Sequence, residues 1–216
     1  MINIKIYYFK LYENNDLIHY FVPCYRKSDI KPGMYDIVGN QFYENQGTGE
    51  FLLPLPDEYQ EVEYLESTGT QYIDTGYIPG SNTQLISKIK IESYATSGFV
   101  FGARQSKGVN DFSLSVTTAK AFQDDYNDNI RKTITNENDI FIVNKNKNIS
   151  LINDLNFEHE VVTFTAPNTL LLFATHNDTS VDSQRVSDLK IYYVKLYDNN
   201  IVRNFIPCYR KSDNKP

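Results

Sequence analysis

The sequence predicts an all-β protein, and three observations carry that reading. Short stretches rich in Ile, Val, Phe, Tyr and Thr recur along most of the 216 residues; no stretch shows an apolar stripe of helical period; and clusters of Asn, Asp, Gly, Pro and Ser punctuate the stretches at short intervals. Many short strands between frequent turns make a sandwich or a barrel. Along the chain, Asn14-Asn15 is expected to be the tight tip of a hairpin. Leu53-Pro54-Leu55-Pro56-Asp57 reads as a stiff, extended linker, because two prolines in five residues exclude a central strand. Beyond it, strands are expected over residues 71–75, 84–91, 98–103, 111–117, 132–135, 139–143, 148–152, 160–164, 169–174 and 189–197. Strict alternation over 84–91 and 111–117 marks two of them as half-buried. Turns are expected at Gly69, Gly76, Pro79-Gly80, Lys107-Gly108, 124–129, 144–148 and 177–180.

Composition narrows the class of molecule. With 17 Tyr and 13 Phe against only 10 Gly and 8 Pro, the chain builds a core rather than staying disordered. The length suits one main domain and is short for two ordinary ones with a linker. The net charge of −6, with no dense Lys/Arg block, argues against a nucleic-acid partner. The longest apolar run, Leu170-Leu171-Leu172-Phe173-Ala174, is far below the roughly 20 residues of a spanning helix, so the chain is not expected to cross a membrane. At the start, Lys5 and Lys10 sit inside an aromatic stretch, which is not the order of a secretory signal.

The most informative feature is an internal repeat. Residues 4–15 return as 189–200 with nine of twelve positions identical, and after one extra residue, Asp16, residues 17–32 return as 201–216 with ten of sixteen identical. Most differences exchange like for like, as when equivalent side chains fill equivalent pockets. An offset of 184 to 185 residues is one whole domain, so the chain reads as slightly more than one period of a tandem array, cut out of phase. Residues 1–55 then hold the closing strands of a preceding repeat, or permuted strands completing this one, and residues 57–216 hold a sandwich lacking its own last strands. Residues 33–53 would complete it, in the same chain or in a neighbouring copy by strand exchange. Cys24 and Cys208 are repeat equivalents, so they are expected to be buried free thiols rather than a disulfide.

Glu63-Tyr64-Leu65-Glu66-Ser67-Thr68-Gly69-Thr70-Gln71-Tyr72-Ile73-Asp74-Thr75-Gly76 resembles the opening of the laminin-G-like, concanavalin A-like modules of bacterial surface and phage proteins. Phe205-Ile206-Pro207-Cys208-Tyr209-Arg210-Lys211-Ser212-Asp213, together with residues 33–43 and Gly47-Thr48-Gly49, is similar to the closing strands of that family. Residues 99–104, 144–146 and 163–167 fit its middle. The resemblance covers nearly the whole chain in permuted order. It implies a two-sheet antiparallel jelly-roll sandwich that binds a glycan or a surface protein without catalysis, in a repetitive protein of the cell surface or virion.

Candidate chemistry is sparse. Glu61-Val62-Glu63-Tyr64-Leu65-Glu66 is superficially like the carboxylate strand of retaining glucanases, an alternative function here beside that of a purely structural spacer or filament subunit, but solvated charges guarding an edge strand explain it better. His19, His159 and His176 lack zinc-site spacing and read as surface histidines. No Ser/His/Asp signature is present. The acidic stretch 123–129 offers several oxygens for a bound calcium, the one cofactor the sequence suggests, although it lacks the glycine and closing glutamate of an EF-hand; a polar turn is the ordinary reading. The ligand surface is expected on the loops carrying Arg104, Asp124, Asp125, Asp128, His176 and Asn177.

Overall fold

The computed structural model describes residues 4–29, 31–49, 51, 55–134, 140–182 and 187–216. Leu53 and Pro54 of the expected linker, residues 50, 52 and 53 of the expected completing segment, and Thr135 and Asp139 of two expected strands lie outside them. The chain forms two compact units, Met1–Asp57 and Glu58–Pro216.

The first unit is an antiparallel meander of β1 (Phe9–Glu13), β2 (Asp16–Arg26), β3 (Lys31–Asp36) and β4 (Gln41–Glu44), paired in that order. Asn14 and Asn15 both take positive φ, 49° and 71°, the backbone a two-residue hairpin turn demands and Asn tolerates. Gly33 is required where β3 meets β4, since a Cβ there would sit 2.3 Å from the Tyr43 carbonyl oxygen and 2.6 Å from the Phe42 ring. Asp36, fully buried, ties β2 to the end of β3 by accepting from the Tyr20 amide at 2.9 Å and bonding the His19 ring.

The second unit contains β5 (Tyr59–Glu61), β6 (Leu65–Thr68), β7 (Ile73–Asp74), β8 (Thr83–Ile91), β9 (Gly98–Arg104), β10 (Phe112–Thr117), β11 (Ala121–Tyr126), β12 (Ile130–Thr133), β13 (Ile140–Lys145), β14 (Ile149–Ile152), β15 (Leu155–Glu158), β16 (Leu171–Leu172), β17 (His176–Asn177), β18 (Ser180–Val181), β19 (Ser187–Asp198), β20 (Asn200–Phe205) and β21 (Cys208–Arg210). One large sheet runs β12-β11-β10-β9-β16-β7, with β17 joined in parallel to β9 and β18 paired to β17. The other runs β15-β14-β13-β8-β19-β20, with β6 also on β19, and β21 pairs separately with β5. Phe101, Phe112, Leu114 and Phe122 of the first sheet and Leu85, Ile89, Phe141, Val194 and Leu196 of the second belong to one buried cluster. Two antiparallel sheets sharing one core is the all-β, sandwich-like arrangement that the strand pattern predicts. The alternation of β8 puts Thr83, Leu85, Ser87, Ile89 and Ile91 inside.

The expected hairpin exists twice, in the same register. Phe9, Leu11 and Tyr12 face Phe21, His19 and Leu17, with the pairing slipping between Leu11 and Tyr12. Their equivalents Val194, Leu196 and Tyr197 face Phe205, Arg203 and Ile201, with the slip between Leu196 and Tyr197. The inserted residue is absorbed at the tip, so the bulge is kept. Beyond it, Arg26 grips Asp29 with two hydrogen bonds of 2.9 and 2.6 Å, and Arg210 grips Asp213 with bonds of 3.1 and 2.6 Å.

Four expectations are corrected. Residues 121–126 are a buried strand, and the polar turn begins only after Tyr126, where Asn127 takes φ 60°. Residues 160–164 carry no strand; the chain instead turns at Asn153, φ 49°, and returns as β15. Cys24 and Cys208 are free but half-buried rather than buried. Glu61 and Glu66 do not share a strand: Glu61 lies on β5 opposite Cys208, and Glu66 lies on β6 opposite Lys190, in different sheets.

Candidate functional site

The densest chemistry of the second unit lies on the two faces of β11. Phe122, Asp124 and Tyr126 share one face of this strand, and because Phe122 and Tyr126 belong to the core, Asp124 is carried inside with them. A buried carboxylate needs a buried cation. Lys145, the last residue of β13 in the opposite sheet, supplies one: its ammonium lies 2.7 Å from Asp124 Oδ1, donates to the Asp125 carbonyl at 2.8 Å, and stands 5.0 and 5.4 Å over the rings of Phe112 and Tyr126. Neither side chain of the pair is exposed.

His159 closes the network. Its Nε2 lies 2.9 Å from Asp124 Oδ2 and its Nδ1 2.9 Å from Asp128 Oδ2, while the ring side chain is wholly buried. Burial lowers the basicity of His159, but the two carboxylates outweigh it and hold the ring protonated above its ordinary range. Burial likewise raises Asp124, and Lys145 and His159 overcome that and keep it ionised. Two carboxylates, one ammonium and one imidazolium therefore neutralise one another across the sheets. The sequence reading of His159 as a surface residue is corrected here.

Ser150 Oγ also lies 2.9 Å from His159 Nε2, so Ser150, His159 and Asp128 stand in the order of a nucleophile, base and orienting acid. The two carboxylates, which favour the protonated ring, and the burial of Ser150 both work against that chemistry. An imidazolium wedged between two carboxylates has no lone pair to take the Ser150 proton, and Ser150 is fully buried.

The other face of β11 presents Gln123 and Asp125. Asp125 Oδ2 accepts from Gln123 Nε2 at 2.9 Å and lies 3.5 Å from Ser113 Oγ, which donates to Asp111 Oδ1 at 2.7 Å. Asp111 Oδ2 accepts the Gly108 amide at 2.9 Å and so fixes the loop before β10. Burial, reinforced by the charge of Asp125, pushes the Asp111 carboxyl up to about 7. Burial pushes Asp125 up to about 6, with the charges of Asp124 and Asp128 adding to it. Asp125 Oδ1 has no hydrogen-bond partner among the described residues.

The six expected ligand residues thus fall into three places. Asp124 and Asp128 meet through His159 on the core side. Asp125 faces away from them with Asp111. Arg104, His176 and Asn177 come together because β17 lies beside the end of β9, with Asn177 opposite Arg104. The Arg104 guanidinium stacks 4.5 Å over Phe99 and reaches Asp182 at 3.3 Å, and His176 Nδ1 donates to the Thr169 carbonyl at 2.8 Å. The acidic side chains of 123–129 do not converge on one point, and among the described residues no group of three or more His, Cys, Asp or Glu is placed to hold a metal ion. Lys145, Ser150 and Asp111 are members of the clusters that the sequence reading passed over.

The raised carboxyls set a pH dependence. Between about pH 4 and 7 the folded state keeps protons on Asp125 and Asp111 that the unfolded chain has released, so these groups cost stability as pH rises through that window. In Asp125→Asn the amide oxygen can take the Gln123 bond while the charge disappears. The variant is expected to gain about 2–3 kcal/mol at pH 8 and nothing near pH 4, read by urea denaturation at both values.

No protein-family model matches the chain, and no curated protein matches it either.

Proposed function

We propose that the chain is a non-catalytic binding module, a laminin-G-like jelly roll in a repetitive extracellular protein of a bacterial surface or a phage virion, which engages a glycan or a surface protein. One observation supports this most. Asp124, Asp128, Lys145 and His159 are spent on one another in the interior, whereas Arg104, His176, Asn177 and Asp182 gather at the β9–β17 corner, where His176 and Asn177 are half-exposed. The half-exposed imidazole and amide, held in place beside the largely buried Arg104–Asp182 pair, suit hydroxyl-rich ligands.

The test is a glycan array and a panel of β-glucans, both with the full chain. Retention of a glycan that falls on Asn177→Ala, without release of reducing ends, is expected. Turnover that vanishes in Glu61→Gln and Glu66→Gln would establish the hydrolase reading, and a chain that retains no glycan and no surface protein would leave a structural spacer.

A further inference from the structure

The two copies of the hairpin share sequence and register but not surroundings. Leu189, Ile191, Val194 and Leu196 are 0, 4, 0 and 0 % exposed, while their equivalents Ile4, Ile6, Phe9 and Leu11 are 76, 60, 52 and 42 % exposed. What covers the second copy is explicit. β8 lies antiparallel along β19, with Ile91, Ile89, Ser87 and Leu85 facing those four residues, and β6 places Ser67 and Leu65 opposite Leu189 and Ile191. Lys190 pairs with Glu92 at 2.7 Å and Glu66 at 3.8 Å, and Tyr192 packs against Tyr64 and under the Lys88 ammonium. Lys5 and Tyr7 repeat these two side chains in the first copy. Residues 189–193 are strand because β8 and β6 pair them, whereas residues 4–8 lie outside any strand.

We infer that the first unit is a donor hairpin whose acceptor is a β-sandwich of the second unit's kind, open between strands equivalent to β8 and β6. The docked hairpin would extend β1 back to Ile4, pair Leu11 with the residue equivalent to Leu85 and Ile6 with that equivalent to Ile89, and lay Lys5 against the carboxylates equivalent to Glu66 and Glu92. A sandwich already closed by its own β19 and β20 offers no such slot, so the unaltered chain is expected to stay monomeric.

The test uses full-length chains. An acceptor carrying Phe9→Asp, Leu11→Asp, Val194→Asp and Leu196→Asp cannot close its sandwich with either hairpin. Refolded from urea together with the unaltered chain, it is expected to form a one-to-one complex visible by native mass spectrometry. A donor carrying only Phe9→Asp and Leu11→Asp is expected to bind at least roughly tenfold more weakly, because docking would bury ionised carboxylates, while its own thermal unfolding matches that of the unaltered chain. No complex with the unaltered donor, or equal complex with both donors, overturns the proposal. So does micromolar self-association of the unaltered chain that Phe9→Asp and Leu11→Asp abolish, which would make a second copy's hairpin the occupant.

Discussion

Lys145→Met is expected to destabilise the second unit by about 3–5 kcal/mol and to lower its Tm by roughly 10 °C. Methionine fills the space of the stem, so little of this loss is cavity. The cost arises because Asp124 Oδ1 and the Asp125 carbonyl lose their donor in a site that water does not reach, and because the network changes from neutral to a net negative charge. His159 cannot compensate: its ring is already shared between Asp124 and Asp128, which favour its protonated form. Two further measurements isolate the charge. Adding Asp124→Asn to Lys145→Met should recover part of the loss, since the double variant buries no unpaired carboxylate. The single variant should also lose less at acid pH, where protonation discharges Asp124. Equal losses in the single and double variants, by thermal unfolding followed by circular dichroism, would show that packing rather than charge holds this part of the core.

One substitution made at two equivalent positions is expected to give two different results. Leu196→Ala removes a fully buried side chain opposite Leu85 of β8 and should cost the second unit about 2–5 kcal/mol through lost burial and the cavity left behind. Leu11→Ala occupies the same place in the same hairpin register, yet its side chain is exposed, and the effect should stay within about 0.5 kcal/mol. Chemical denaturation of the full-length variants compares them directly. Similar costs at both positions would mean that the hairpin itself, rather than its cover, sets the energetics. The contrast also separates propensity from burial, because the strand-forming preference of the changed residue is the same in both places.

The carboxylate–cation network was partly legible in the sequence. Phe122, Asp124 and Tyr126 share one strand face, as do Phe141, Val143 and Lys145, and two apolar runs that each carry a charge in the core phase are a signal that the charges meet. The acidic composition of residues 123–129 masks that signal, because it favours a turn locally and only the ladder with β10 and β12 makes 121–126 a strand. His159 gave one local sign of burial, its place two residues after core Phe157 of β15 with exposed Glu158 between them. Its partners Asp124 and Asp128 lie 35 and 31 residues away, and nothing between them in sequence indicates that these are the charges the ring meets.

The sequence by itself determined the all-β class, the alternation of β8, the hairpin tip at Asn14-Asn15 and the identity of its two copies, because these depend on side-chain period and on the φ preferences of a few residues. Tertiary structure alone decided which copy is core and which is surface. Residues 4–12 and 189–197 have nearly the same local preferences, but only the second lies along β8 and β6, which complete its hydrogen bonds and exclude water from its apolar side chains. Burial is a property of what lies opposite a strand, and a near-identical stretch of sequence carries no record of whether that partner is present.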